Sequence, residues 1–385
     1  MTENIVPFFQ PIINSSTAQV VGHEVLARIK NEHGAPTSAY DVLFSHKRTQ
    51  SARLASDRLV RMQALEKFTE AGQPGYLTLN ISPEWLNQAN GKDLFTVDMI
   101  KDYGIDTDKI VLEIIETPAD NEKLKSTIHF YKDNGIKVAI DDFGAGDSNF
   151  DRVINLSPDI IKLDMALFNQ ALLLGGRAET LIDSVCFMAE RMGSEILAEG
   201  VESLEGFSYA QKFGAQLMQG YLFSPAVSNF TQTQSFNSHI KQLRKNYVLE
   251  EREILNKHRI IRNVLYDQIK QFSQSIKSPL DVNILSLDQM KHPDCMNVYL
   301  CNAIGDQVSD IFSFRQGIWQ SQTVAVNTNR SCRPYFCKLQ SDTFFEPERI
   351  ANSAPYHDLD SKQLTETLAY RLNDNLTLFL DVLKR

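Results

Sequence analysis

Asp141 and Asp142 stand side by side directly after an apolar run at residues 138–140, within the stretch KVAIDDFGAGDSNF. The run reads as a short buried strand, so both carboxylates arrive where that strand leaves the core. Neighbouring carboxylates repel, and near a strand end they are poorly solvated unless a cation or hydrogen-bond donors sit between them. A divalent metal is the economical solution. Gly144 and Gly146 let the backbone turn sharply beside whatever the carboxylates hold. Asp and Gly are also common in an ordinary strand-to-helix turn. The weight comes from the other apolar runs, which end in Gln10, Glu24 with Arg28, Asn80, Glu113 with Glu116, Lys162 with Asp164, Glu199 with Glu202, and Gln219.

The elements that must position these residues alternate in type. Between Pro7 and about Pro225, apolar runs at 8–13, 20–29, 76–81, 110–115, 138–140, 160–163, 196–198 and 217–223 read as strands. Amphipathic stretches at 53–71, 121–134, 179–191 and 204–213 carry apolar residues at spacings of three and four and read as helices. Strand–helix alternation predicts an α/β domain, and about eight strands predict a TIM-like (β/α)8 barrel, with an open doubly wound sheet as the alternative. In a barrel, chemistry collects at the C-terminal ends of the strands. There Glu24, Asn80, Glu113 and Asp141 supply oxygen ligands that suit Mg²⁺ or Mn²⁺, and no His or Cys joins them to favour zinc.

An all-oxygen metal centre flanked by lysine and arginine is built for phosphoryl chemistry, in which cations hold the charge of an in-line displacement and water is the natural nucleophile. Lys162 would be oriented by the Asp164 carboxylate or by a metal-bound water. Glu199 would serve as a further ligand or as the proton acceptor for the attacking water.

Composition bounds the partners. At 385 residues the chain accommodates two domains, and 43% hydrophobic with 23% charged residues is the make-up of a soluble globular protein. A formal net charge of −9 argues against a protein that coats nucleic-acid phosphates but leaves room for a small phosphorylated ligand. The N-terminus lacks the basic start and apolar core of a secretory signal, and no apolar run is long enough to span a membrane, so a cytoplasmic protein is expected. Five cysteines, with Cys295, Cys301, Cys332 and Cys337 late and loosely spaced, read as reduced, packed thiols rather than a zinc module.

The first 225 or so residues resemble the EAL domains, the cyclic di-GMP phosphodiesterases. The resemblance runs in order through FFQPI, GHEVLAR, LTLNISP, LEIIE, AIDDFG, IKLD, AEGVES and MQGYLFSP. It implies a barrel that hydrolyses one phosphodiester of cyclic di-GMP to linear pGpG with Mg²⁺ or Mn²⁺. On this pattern Glu24, Asn80, Glu113, Asp141 and Asp142 hold metal, while Glu24, Lys162 and Glu199 are catalytic, the last two serving the attacking water. Gln10, Leu26, Arg28, Asp164 and Gln219 contact the dinucleotide, and Glu116 pins the loop after the Asp pair, which in the family also helps form a dimer contact. Two departures stand out. The family triplet reads Glu24-Val25-Leu26, and Asp147 replaces an aromatic residue in that loop. The alternative reading is a receptor that binds cyclic di-GMP without cutting it.

After Pro225 the pattern changes. Residues 229–238 are polar, and about 36 residues from His239 run without Gly or Pro and with apolar positions at threes, fours and sevens, a long amphipathic helix. Such a helix packs on its own domain or connects domains and carries a dimer contact. From about Pro279, runs at 298–301, 308–314, 322–326, 335–339, 363–370 and 376–383 read as strands of a small α+β domain. RPYF at 333–336 and SAPYHDLDS at 353–361 give it a resemblance to PAS-like or Cache-like sensor domains, which implies a small-ligand pocket or a dimer scaffold. The expected organisation is a barrel at 1–228, a linker and helix at 229–277 and a sensor or regulatory domain at 278–385. It would act as a homodimer, with a small ligand or a protein at the C-terminal domain.

Overall fold

The computed structural model describes residues 5–30, 36–44, 48–81, 94–114, 121–145, 150–323, 328–346, 349–359 and 361–384. The chain divides into two compact units, Met1–Glu250 and Glu251–Arg385, and the division falls inside the helix Asn237–Ser273.

In Met1–Glu250 the strands are β1 (Ile5–Asn14), β2 (Val20–Ile29), β3 (Thr37–Ser38), β4 (Tyr76–Ile81), β5 (Ile110–Ile114), β6 (Lys137–Phe143), β7 (Ile160–Leu163), β8 (Glu195–Ala198) and β9 (Leu217–Met218). All but β3 close into an eight-stranded barrel, because β1 pairs with both β2 and β9; β3 adds to the edge of β2. The TIM-like barrel is present with one departure: β1 runs antiparallel to both neighbours, while β2 and β4 to β9 are parallel. The cause is local. The Asn14 side chain accepts hydrogen bonds from the Ser16 and Thr17 amides, closing a tight turn that leaves no length for a crossover helix between β1 and β2.

Helices Gln50–Glu70, Asn121–Asp133, Gly176–Met192 and Leu204–Lys212 coincide with the amphipathic stretches, whereas Leu94–Asp102, Phe150–Leu156 and Met165–Leu174 lie outside the expected ones; Phe150–Leu156 spans only 7 residues, and Met165–Leu174 is apolar almost throughout and so shows no polar face. One expected strand is shorter than its apolar run. β9 stops at Met218 because the chain turns at Gly220, whose carbonyl accepts from the Phe223 and Ser224 amides.

The barrel interior is layered. Ile12, Val111, Ala139, Ile160, Leu197 and Leu217 form one buried cluster, against which Tyr76 packs. Two residues further towards one end stand Gln10, Glu113, Asp141 and Lys162 on these strands, and Glu199 and Gln219 just past the ends of β8 and β9. Side-chain alternation along a strand therefore carries the apolar plug directly into a polar mouth. Gly22 makes this possible, since a Cβ there would stand 2.4 Å from the Tyr76 ring.

In Glu251–Arg385 the strands are β10 (Cys295–Cys301), β11 (Ile311–Arg315), β12 (Ile318–Gln322), β13 (Ala351–Asn352), β14 (Tyr356–His357), β15 (Leu364–Asn373) and β16 (Leu376–Leu383). They form an antiparallel sheet in the order β12-β11-β10-β16-β15-β13, with β14 also on β15. Leu265, Ile269 and Phe272 of the long helix pack on one face with Val298, Leu300, Leu368 and Leu380. Phe336 and Leu339 pack on the other with Tyr299, Cys301 and Phe379. The strand expected at 335–339 is instead a helix, Phe336–Phe345, because Phe336, Leu339 and Thr343 at spacings of three and four form its buried side. The strand expected at 322–326 begins earlier as β12, and 324–327 lie outside the described residues. Cys295 and Cys301 are packed thiols, but Cys332 and Cys337 are exposed. No described helix is long and apolar enough to cross a membrane.

Candidate active site at the barrel mouth

Lys162, on β7, is 1% exposed, and its ammonium is the hub of the mouth. Its Nζ lies 2.6 Å from Asp141 Oδ1, 2.9 Å from Glu199 Oε1, 3.1 Å from Glu113 Oε2 and 3.6 Å from Glu24 Oε1. Burial works against an ammonium, but the surrounding carboxylates outweigh it and lift the Lys162 pKa above that of ordinary lysine. Lys162 therefore stays charged. Counting Asp142, five carboxylates share one cation, and the excess negative charge appears in the carboxylates themselves. Burial first, then Glu24, pushes the Glu113 carboxyl well above the carboxylate range. Burial raises Glu199 to about 8, and burial with the Asp141 charge raises Asp142 to about 6.

Asp142 owes its direction to an irregular backbone. The β6–β7 register shifts between Ile140 and Phe143, and Asp142 takes φ +53°, a left-handed conformation that Asp tolerates better than most residues. Strict alternation would send adjacent side chains to opposite faces; the shift instead brings one carboxylate oxygen each from Asp141, Asp142 and Glu199 within 4.8 Å of one another. Gly144 follows at φ +103°, where a Cβ would stand 2.3 Å from the Leu167 side chain.

Gln219 extends the cluster: its Nε2 donates to Glu24 Oε2 at 2.6 Å and to Gln10 Oε1 at 3.0 Å. Leu26, Arg28 and Asn80 line, with Glu24, Asp141 and Asp142, a cavity of about 250 Å³. Asp164 is differently employed, for its Oδ1 accepts from the Ala166 and Leu167 amides and caps the helix Met165–Leu174. It stands close enough to raise Asp142 further. Glu116 and Asp147 lie outside the described residues.

Sequence reasoning missed Asp57 and Arg61, a buried ion pair on the helix Gln50–Glu70 that lines the same cavity. Arg61 also donates to Thr96 Oγ1 at 2.9 Å. The available signal was an acidic and a basic residue four apart, in phase with the buried Val60, Ala64 and Phe68.

The residues fit a divalent cation. The donors are all oxygen, their charge exceeds what Lys162 neutralises, and Glu113 Oε1 is buried without a hydrogen-bond partner among the described residues. Protons and a cation compete for the same oxygens, and the raised carboxylates hold their protons below about 8 for Glu199 and about 6 for Asp142. Mn²⁺ affinity is thus expected to rise with pH between those values, with proton release on binding, as read by calorimetry in buffers of different ionisation enthalpy. A flat affinity over that range would place the ion elsewhere.

Fold and mouth together define an α/β-barrel protein with an acidic, lysine-centred site. The chain belongs to the EAL-domain family: residues 2–226 match the EAL domain model, and residues 230–385 match that of the EAL-domain associated signalling protein domain. The chain is similar to the EAL-domain containing protein YkuI of Bacillus subtilis, 27% identical over 99% of this chain and 94% of YkuI. A crystal structure of that protein in complex with substrate c-di-GMP and calcium superposes with a TM-score of 0.89 at 25% identity, covering 99% of this chain and 96% of that one. The cyclic di-GMP phosphodiesterase RocR of Pseudomonas aeruginosa is 28% identical over 56% of this chain and 56% of its own length, so this chain spans little more than half of it. The Klebsiella pneumoniae BlrP1 manganese/cy-diGMP complex matches with a TM-score of 0.52 at 25% identity, covering 59% of this chain and 57% of that one.

Proposed function

We propose that the protein is a divalent-metal-dependent phosphodiesterase that hydrolyses cyclic di-GMP to linear pGpG in the cytoplasm. The observation that carries this reading is the Lys162 ammonium held among Glu24, Glu113, Asp141 and Glu199 at the barrel mouth. Glu24, Asn80, Glu113, Asp141 and Asp142 would hold Mg²⁺ or Mn²⁺. When bound, such an ion acidifies water and polarises a phosphoryl oxygen.

The remaining work belongs to the chain. Lys162 orients the attacking water and offsets the charge that builds on the phosphoryl oxygens. Glu199 takes the water's proton, and a carboxyl raised to about 8 by burial is a base matched to near-neutral pH. Gln10, Leu26, Arg28 and Gln219 seat the dinucleotide, with Asp164 bordering it and Glu116 pinning the loop. The barrel at 1–228 is joined through the linker and long helix at 229–277 to a PAS-like regulatory domain at 278–385, and the working form is a homodimer. The relatives named for cyclic di-GMP support this reading.

The test is incubation of the full chain with cyclic di-GMP and Mg²⁺ or Mn²⁺, with chromatography for pGpG, beside a binding titration in Ca²⁺. Product with either ion is the expected result. Tight binding with no product under any divalent ion would make the protein a receptor instead.

A further inference from the structure

The sheet of Glu251–Arg385 has one apolar face and one that is interrupted by a polar row. Ser313 on β11, Asn297 on β10, Asp381 on β16 and Thr367 on β15 stand directly opposite one another across four neighbouring strands. Their side chains join hands. Ser313 Oγ donates to Asn297 Oδ1 at 2.8 Å, Asn297 Nδ2 to Asp381 Oδ2 at 3.3 Å, and Thr367 Oγ1 to Asp381 Oδ1 at 2.8 Å. The Tyr356 hydroxyl extends the row, 2.7 Å from Thr367 Oγ1 and 3.3 Å from the Tyr335 hydroxyl.

Packing does not account for this row. Asp381 is 5% exposed, and burial raises its carboxyl to about 6 despite the hydrogen bonds from Thr367 and Asn297. Hydrogen-bonded polar groups of this kind contribute little net stability compared with apolar residues of the same volume. The same strands show that apolar residues were available, since Phe312, Val298, Leu380 and Leu368 lie one position away and fill the opposite core.

At its β11 end the row opens into a cleft of about 700 Å³, lined by Asn297, Ser313, Arg315, Gln322, Asp358 and Gln363 among others. That volume is within the range of small-molecule sites. The Arg315 side chain is exposed and makes no hydrogen bond or ion pair among the described residues, so its guanidinium is available to a ligand. Asp358, in the turn between β14 and β15, is 9% exposed, and its Oδ2 accepts from the Ser361 amide and hydroxyl, each at 2.8 Å. The charged lining is thus one guanidinium and one carboxylate, set among neutral amides and hydroxyls. Such a balance disfavours a polyphosphate, which needs several cations, and a bare metal ion, which needs several anions.

We propose that this cleft binds a small zwitterion of the α-amino-acid type, its carboxylate on Arg315, its ammonium on Asp358, and its polar remainder on Asn297 and Ser313. The row behind the cleft fixes the Asn297 amide: its nitrogen is held by Asp381 and its oxygen by Ser313. The site is independent of the barrel, so its test does not depend on turnover.

The experiment is calorimetric titration of the full chain with each free amino acid in turn. At least one is expected to bind, and its N-acetyl and ester derivatives, each lacking one charge, are expected to bind about 10–100-fold more weakly. Arg315→Ala should weaken binding by a similar factor, with unchanged melting temperature because Arg315 is exposed. Ser313→Ala provides a second, milder variant. Absence of binding by every amino acid, equal affinity for the derivatives, or undiminished binding by Arg315→Ala would each overturn the proposal.

Discussion

Replacing Lys162 by methionine is expected to abolish turnover and to destabilise the barrel by about 3–5 kcal/mol near pH 8, the cost of removing one partner from a buried charge cluster. The substitution keeps most of the side-chain volume, so the loss is electrostatic rather than a cavity. Glu24, Glu113, Asp141 and Glu199 would face one another without the ammonium that now lies 2.6–3.6 Å from them.

The pH dependence follows from carboxyl groups whose folded pKa already exceeds the unfolded value. Such groups favour the folded state when protonated, and that contribution is lost as pH rises through the folded pKa. With Glu199 at about 8 and Asp142 at about 6 before the substitution, and higher after it, Lys162→Met should recover stability as pH falls through and below that window. Added Mn²⁺ should restore it at high pH. Melting temperatures of both proteins at several pH values, with and without Mn²⁺, provide the check; a variant as stable as the parent near pH 8 would contradict the charge balance described for the mouth.

Glu24→Gln is expected to lower turnover by at least about 10²–10³-fold while leaving the fold intact. The amide is isosteric, and its carbonyl oxygen can still accept the hydrogen bond that Gln219 Nε2 now makes to Glu24 Oε2. What disappears is one anionic oxygen of the proposed metal site and one of the charges around Lys162. Divalent affinity should fall together with turnover, whereas the melting temperature without metal should hold or rise because a buried repulsion is relieved. Unchanged pGpG formation in this variant would remove Glu24 from the metal site and with it the centre of the proposed mechanism.

Much of the mouth was legible because strands have a period of two. An apolar residue pointing into the barrel is followed two positions later by another inward residue, so Val111 announces Glu113, Ala139 announces Asp141, and Ile160 announces Lys162. The long helix was legible for a similar reason, its apolar residues recurring with the helical period through Asn237–Ser273. Short elements were not. Phe336–Phe345 presents aromatic residues that favour strands in isolation, and only burial of one side of a helix decides the matter.

What the sequence by itself determined is the inventory of strand ends and the chemical hardness of the groups on them, because both depend on neighbours a few residues apart. Tertiary structure alone decided which of those groups meet. Closure of the barrel through an antiparallel β1, the register shift that turns Asp142 beside Asp141, the burial of Arg61 against Thr96 and the Ser313–Asn297–Asp381–Thr367 row all depend on contacts between distant segments. Local patterns specify which face of a strand is buried, but the partner across the gap is chosen only when the whole sheet pairs and closes.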